Sequence, residues 1–411
     1  MLRTLLCRQN FLAGIAIFSM FFGAGNVVFP LLLGLKAKGQ FPLALLGLII
    51  TSIGFPLLGV IGSSLFKGRA LPFFLRAGKP IGLTMMIISL GLLGPIAVMP
   101  RCVTVAYAAT VQMIPGLSLP VFCLIFGALA FAITLKKNSI MKIVGLVLSP
   151  LLLISLFMII FKGLSGELHF ASSNLSNMGA FHEGMLTGYD TLDLIASLFF
   201  SATIWQMLSL NGSKKVFNSS VFSSLIGGVL LALVYAGLCI VTAANSGSLA
   251  HISPDKLLTQ LALIQLGPIY GAIANLAIAI ACLTTIISIC ITITTLVKEE
   301  TKIKISEKWI NFSWLTVMTF FGMWGFEQLM GMIHYMAQLL YPAIIVLTVA
   351  NIGHKKWGFK WIKTPVTITL LLTILHTSIL NYSRLKARDS CFIAPLLGQL
   401  HKLYNRSPYG L

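Results

Sequence analysis

The chain has 411 residues, of which 57% are hydrophobic and only 9% charged, with a mean hydropathy of +0.95. Soluble domains usually carry about 25% charged residues, so a soluble globular protein is excluded and a polytopic membrane protein is expected. The formal net charge of +19 would suit a nucleic-acid binder, but the cations collect in alternate loops and so belong to membrane topology.

The first charge-free stretch, residues 11–35, exceeds the roughly 20 apolar residues that cross a bilayer. Arg3 and Arg8 ahead of it resemble a signal peptide, but the run is too long and continues into further spans, so an uncleaved first helix is expected. Its middle reads Phe21-Phe22-Gly23-Ala24-Gly25-Asn26-Val27-Val28-Phe29-Pro30. Two glycines, an amide and a proline oppose an unbroken helix. In hydrocarbon, freed backbone groups are tolerated only when packed in protein or lining a polar cavity. A broken first helix therefore predicts a binding site at mid-membrane. Unwound carbonyls can ligate a small cation, while the next helix N-terminus offers N–H groups to a carboxylate. Those demands match an amino acid with a coupling cation; a packing notch between helices is the competing reading.

Further charge-free stretches at 41–66, 80–100, 102–135, 143–161, 194–213, 216–250, 257–297, 309–326, 328–353 and 364–383 give about ten to twelve helices. With the N-terminus cytoplasmic, one set of loops holds Arg3 and Arg8; Lys67, Arg69, Arg76 and Lys79; Lys136, Lys137 and Lys142; Lys214 and Lys215; Lys298, Lys302, Lys304 and Lys308; and Lys355, Lys356, Lys360 and Lys363. The opposite loops hold only Lys36, Lys38, Lys162 and Lys256, the asymmetry of the positive-inside rule.

Arg101 follows Pro95 and Pro100 with apolar sequence on both sides. An intramembrane arginine either faces a cavity or partner, as a gate would, or snorkels from a helix end. The longest polar interval, 162–193, divides the chain into two hydrophobic halves of about five spans each. Asp190 and Asp193 close that interval; helix N-capping is the plainer reading of them, and proton coupling or gating the sharper. The next segment carries small and hydroxyl residues at its centre, where Phe199-Phe200-Ser201-Ala202 echoes Phe21-Phe22-Gly23-Ala24. Five spans is an odd number, so the two halves would enter the membrane in opposite orientation, with their broken first helices facing each other.

Ala281-Cys282-Leu283-Thr284-Thr285 lies mid-way along 257–297, where two hydroxyls and a carbonyl could serve a hard cation. Threonine hydroxyls bonding to the preceding turn is the alternative. Glu327 reads as a loop residue. Seven cysteines without CxxC spacing indicate neither a disulfide framework nor a metal site. Seven scattered histidines with no HExxH, and no GxxxxGK[ST], argue against an enzyme or an ATP-driven pump. Near the C-terminus, Cys391–Leu400 is too short to span, so eleven full spans plus a short re-entrant or interfacial segment are expected.

The segments Phe22–Pro30, Gly94-Pro95-Ile96-Ala97-Val98-Met99-Pro100-Arg101, Gly188-Tyr189-Asp190-Thr191-Leu192-Asp193, Ala281–Thr285 and Leu340-Tyr341-Pro342 run in order over roughly residues 10–350. In them the chain resembles the bacterial branched-chain amino acid:cation symporter family. That resemblance implies the leucine-transporter-type five-plus-five inverted-repeat fold with helices 1 and 6 broken. It implies one transmembrane domain over 1–411, with repeats at 11–162 and 188–350 and an additional helix and basic tail at 351–411. It further implies import of leucine, isoleucine and valine with sodium by alternating access, in the bacterial cytoplasmic membrane. Substrate would contact Gly23, Ala24, Gly25 and Asn26, together with Tyr107, Phe199, Phe200, Ser201 and Ala202. Sodium would be held by Phe22, Gly23, Asn26, Ala281, Thr284 and Thr285. No organic cofactor, nucleic acid or obligatory protein partner is expected, only the amino acid, the ion and the bilayer. The alternatives are proton-coupled transport of neutral amino acids through Asp190 or Asp193, a passive channel, and a ligand-sensing membrane protein.

Overall fold

A computed structural model describes residues 8–23, 26–135, 153–210 and 216–379. Among the described residues all regular structure is helical. In chain order the helices are α1 (Arg8–Phe21), α2 (Val28–Ala37), α3 (Phe41–Ile49), α4 (Phe55–Ser64), α5 (Lys79–Gly91), α6 (Val98–Val111), α7 (Leu119–Leu135), α8 (Leu153–Leu164), α9 (Asn177–Asp190), α10 (Asp193–Leu210), α11 (Val216–Ala244), α12 (Leu257–Thr301), α13 (Glu307–Gly322), α14 (Phe326–Trp357) and α15 (363–379).

Prolines set many of the joints. Pro42, Pro56 and Pro80 stand in the first turns of α3, α4 and α5, where the missing N–H has no intrahelical partner to lose. One π-turn, Ile50–Gly54, joins α3 to α4 without interrupting the span. Another, Leu92–Ile96, contains Pro95 and a non-helical Gly94, and kinks the path from α5 into α6. Gly267 (φ 78) and Pro268 divide α12 into a short first piece and the long span. The expected single segment at 257–297 therefore begins only after this kink.

Two interruptions matter most. α1 ends at Phe21 and α2 begins at Val28, with a turn closed by the Asn26 amide on the Gly23 carbonyl at 2.8 Å. Pro30 falls in the first turn of α2, so it follows the break and does not make it. Ala24 and Gly25 lie outside the described residues. The second interruption separates α9 from α10, which meet at 42°. Its hinge is Thr191-Leu192, with Leu192 at φ 62, a left-handed conformation that is costly for a leucine and ends the helix. The expected site of this break, Phe199-Phe200-Ser201-Ala202, is instead continuous helix within α10. The half-helix α9 was hidden inside the polar interval 162–193, because His182, Glu183 and Asp190 break its apolar run. Its start is set by Ser176, whose hydroxyl accepts the Gly179 amide at 3.1 Å.

Two other expectations change, and a third falls outside the described residues. Arg101 sits inside α6, fully buried, so it neither ends a helix nor snorkels. Glu327 belongs to the first turn of α14. Cys391–Leu400 lies outside the described residues.

The helices pack as two groups. α1 and α2 lie on α11, α3 on α9, and α4 on α10; separately, α6 lies on α12 and α7 on α13. Glycines let the first group approach backbone to backbone. A methyl at Gly34 would overlap the Cys239 carbonyl, one at Gly47 the Phe181 carbonyl, and one at Gly184 the Ala44 carbonyl. Five described helical stretches are long and apolar enough to cross a membrane, and α9 with α10 make a sixth if the bent pair is one span. The fold is thus a multi-pass helical bundle whose two interruptions meet inside it.

Candidate functional site

The interruptions enclose a cavity of about 480 Å³, within the range of small-molecule sites. From the first break it is lined by Phe21, Phe22, Gly23 and Asn26, and from the second by Thr191, Leu192 and Asp193. Ala196, Phe200 and Thr203 follow at helical spacing on one face of α10. Across from them α12 contributes Ala281, Thr284, Thr285 and Ser288, while Val98 and Cys102 come from α6. The cavity continues along α1 past Ser19 and Phe18, and along α12 to Thr292. It therefore runs toward the N-terminal end of α1.

Its other end is closed by a polar network. The Arg101 guanidinium donates from Nη2 to Asn26 Oδ1 (2.6 Å) and to the Thr191 carbonyl (3.4 Å), and from Nη1 to the Asp190 carbonyl (2.9 Å). Its carbon stands 4.7 Å over the Phe29 ring. Asn26 Nδ2 donates in turn to Asp193 Oδ1 at 2.6 Å. One arginine thus ties both breaks to α6, and it satisfies carbonyls that the α9 terminus leaves open. On the side away from the cavity, His334 Nδ1 lies 3.0 Å from both Asp190 oxygens, and Gln338 holds the opposite ring nitrogen at 2.8 Å. Lys36 and Glu183 form an ion pair of 2.6 Å further out. Tyr341 Oη accepts the Leu194 amide at 3.3 Å, an N–H that the start of α10 would otherwise leave without a partner.

The sequence-based site divides under this geometry. Phe22, Gly23, Asn26, Phe200, Ala281, Thr284, Thr285 and Asp193 meet at the cavity. A methyl at Gly23 would touch Thr285 Cγ2, so the first break and α12 face each other directly. Thr284 and Thr285 each donate to the Ala281 carbonyl at 2.9 Å, which is the turn-bonding reading, and their oxygens keep lone pairs toward the cavity. Asp193 is not a side-chain N-cap, because its carboxylate receives Asn26 while its own amide donates to Thr191 Oγ1 at 3.3 Å. The Asn26 oxygen is already engaged by Arg101 and so is not free for a cation.

Tyr107, Phe199, Ser201 and Ala202 are not brought to the cavity. Tyr107 donates to the Leu117 carbonyl at 2.8 Å and packs on Phe122. Phe199 stacks on Phe74 at 6.0 Å, and the Ser201–Ala202 backbone faces Gly68. They project from the flanks of α10, whereas Ala196, Phe200 and Thr203 share the inner face. Sequence reasoning missed His334, Gln338 and Tyr235. Tyr235 is fully buried beside Asn26 and Asp193. A polar residue mid-way along an apolar helix was the available signal for each.

Among the described residues no cluster of three or more His, Cys, Asp or Glu could hold a metal ion. A bound cation would rely on carbonyl and hydroxyl oxygens, which suit hard ions.

A mid-bundle cavity between two interrupted helices, in a chain of repeated apolar spans, defines a multi-pass membrane transporter. Residues 7–397 match the family described as Branched-chain amino acid transport protein, and the chain belongs to that family. It is a transport family, and the chain is not an enzyme. A protein designated a branched-chain amino acid carrier in Staphylococcus epidermidis is 29% identical over 305 residues, covering 68% of this chain and 67% of that one. A carrier of the same designation in Staphylococcus aureus is 26% identical over 396 residues, covering 89% and 87%. Among solved structures, the Eremococcus coleocola manganese transporter matches with a TM-score of 0.60 at 15% identity, over 92% of this chain and 86% of that one. Mhp1 in its inward-facing conformation matches with a TM-score of 0.54 at 12% identity, over 91% of each. At these identities the structures are similar in fold alone.

Proposed function

We propose that the protein imports leucine, isoleucine and valine by sodium symport through alternating access. The observation that carries this reading is the cavity itself, which joins an aliphatic and aromatic wall (Phe21, Phe22, Phe200, Val98) to carbonyl and hydroxyl oxygens at Gly23, Ala281, Thr284 and Thr285. The apolar wall suits a branched aliphatic side chain. It discriminates weakly among such chains, because one methylene is worth only about 1–3 kcal/mol, so the three substrates compete. The ion would sit between the Phe22–Gly23 backbone and the Ala281, Thr284 and Thr285 oxygens. We further propose eleven spans in a five-plus-five inverted repeat, with α9, not residue 199, supplying the first half of the sixth span. The chain is placed in the bacterial cytoplasmic membrane with its N-terminus inside. In that orientation the cavity is open inward and the Arg101 network closes the outer side.

Asp193 at the cavity wall favours a second reading, coupling to protons. The two separate in proteoliposomes. Sodium-driven accumulation of labelled leucine, absent in matched potassium, is expected, and the Thr284→Ala/Thr285→Ala double variant lowers it at least tenfold while leucine binding survives at saturating substrate. Accumulation that follows a pH gradient and ignores sodium would instead move coupling to the carboxylates.

A further inference from the structure

Asp193 is the one charged side chain among the described residues that line the cavity. It is 2% exposed, and only half of it is satisfied. Oδ1 accepts Asn26 Nδ2 at 2.6 Å, while Oδ2 is buried with no hydrogen-bond partner among the described residues. The Thr191 hydroxyl also approaches the Asp193 side chain but donates to the Gly188 carbonyl at 2.8 Å, and the buried Tyr235 hydroxyl lies beside Asp193 and Asn26. A buried carboxylate oxygen left without a donor is costly, and a donor supplied by a ligand, an ion or water offsets that cost. Arg101 does not line the cavity. It lies behind Asn26, reaching Asp193 through that amide, and its charge offsets that of Asp193. The pair therefore presents a negative group locally while remaining neutral in sum. That combination suits a zwitterion of zero net charge whose cationic end draws the Asp193 carboxylate out of the cavity wall, where its unpaired oxygen is covered.

We propose that Asp193 anchors the ammonium group of the transported amino acid, and that Arg101 and Asn26 are positioning residues that hold the carboxylate toward the cavity. The proposal rests on the amino acid reading above. It differs from proton coupling, because here Asp193 contributes affinity and selectivity. The substrate carboxylate would lie toward the start of α2, whose first amide groups follow Asn26 directly. A charge-assisted hydrogen bond is worth about 1.5–3 kcal/mol, or roughly a 10- to 150-fold preference for a ligand that can make it.

The test uses the purified full-length chain in lipid nanodiscs and equilibrium binding of labelled leucine and of its labelled α-keto acid analogue, which keeps the side chain and carboxylate but lacks the ammonium. Wild type is expected to prefer leucine by 10- to 150-fold. Asp193→Asn is expected to lose that preference, with leucine affinity falling to near that of the keto acid and keto acid affinity unchanged or improved. Asp193→Glu keeps the charge and is expected to retain the preference at lower affinity, which covers the case in which the asparagine variant does not fold. No leucine binding by wild type would overturn the amino acid reading and this inference with it. Leucine binding with an undiminished preference in Asp193→Asn would overturn this inference alone. Equal loss of both ligands in a folded Asp193→Asn would assign the residue a purely structural role and also overturn it.

Discussion

Arg101→Gln is expected to be the most damaging single substitution in the chain, lowering stability in detergent by about 3–5 kcal/mol and abolishing uptake. The guanidinium is wholly buried and donates to Asn26 and to the Asp190 and Thr191 carbonyls. Glutamine is shorter and cannot reach both breaks, so two carbonyls lose a donor and Asp193 loses its balancing charge. Removing one member of a buried charged network costs more than removing both. Arg101→Gln/Asp193→Asn is therefore expected to melt higher than Arg101→Gln alone, with a coupling of about 0.5–3 kcal/mol, while remaining inactive. Melting curves of the four proteins in one detergent supply the cycle. Strict additivity of the two single changes would show that Arg101 and Asp193 do not share a network.

Gly184→Ala is the second. The added methyl meets the Ala44 carbonyl, which is backbone and cannot rotate away, so α3 and α9 must separate. Overpacking of this kind typically costs about 1–3 kcal/mol, and the displacement reaches Asp190 at the end of the same half-helix. Uptake should fall at least tenfold. Gly188→Ala, one turn on, meets the Thr51 hydroxyl and the Thr51 Cβ, so pairing it with Thr51→Ala is expected to recover only part of the loss and Thr51→Gly more of it. Gly331→Ala is the control: nothing lies within 4 Å of the new methyl, and alanine gains up to about 1 kcal/mol of helix propensity. If Gly184→Ala and Gly331→Ala melt alike, the close crossing of α3 and α9 does not govern stability.

The first break was legible because its cause is local. Gly23 and Asn26 stand in a long apolar run, and no other signal competes with them. The second was misplaced because its cause is not. Thr191 and Leu192 carry no glycine or proline, and Leu192 is held at positive φ by partners distant in sequence, namely Arg101 on the neighbouring carbonyls and Tyr341 at the start of α10. A charged half-helix such as α9 is invisible to a hydropathy reading, since His182 and Glu183 stay accessible while the face it buries is made of small residues, Ala180, Gly184, Thr187 and Gly188, with Asp190. On α12, Ala281, Thr284 and Thr285 come to the cavity together because they share one helical stripe. Phe199, Ser201 and Ala202 were grouped with Phe200 by adjacency, and adjacent residues on a helix point about 100° apart. Tyr107 had no pattern behind it beyond its position on the third span.

The glycine contacts also decide where the molecule is stiff. Contacts between backbones, such as Gly34 on Cys239 and Gly184 on Ala44, have no alternative rotamers and hence one working distance. The helix-on-helix contacts of this kind, Gly34 on Cys239, Gly47 on Phe181 and Gly184 on Ala44, lie within the group formed by α1–α4 with α9–α11. Between that group and α6 or α14 the polar ties include long side chains, Arg101 on the Asn26 oxygen and the Asp190 and Thr191 carbonyls and His334 on Asp190, which can reform at other lengths. The seam between the two blocks is the expected place of movement, with close contacts holding the interior of the first. Sequence drift should follow the same division. Chemically equivalent substitutions can accumulate along the seam, whereas at the glycine crossings any heavier residue carries a cost in stability.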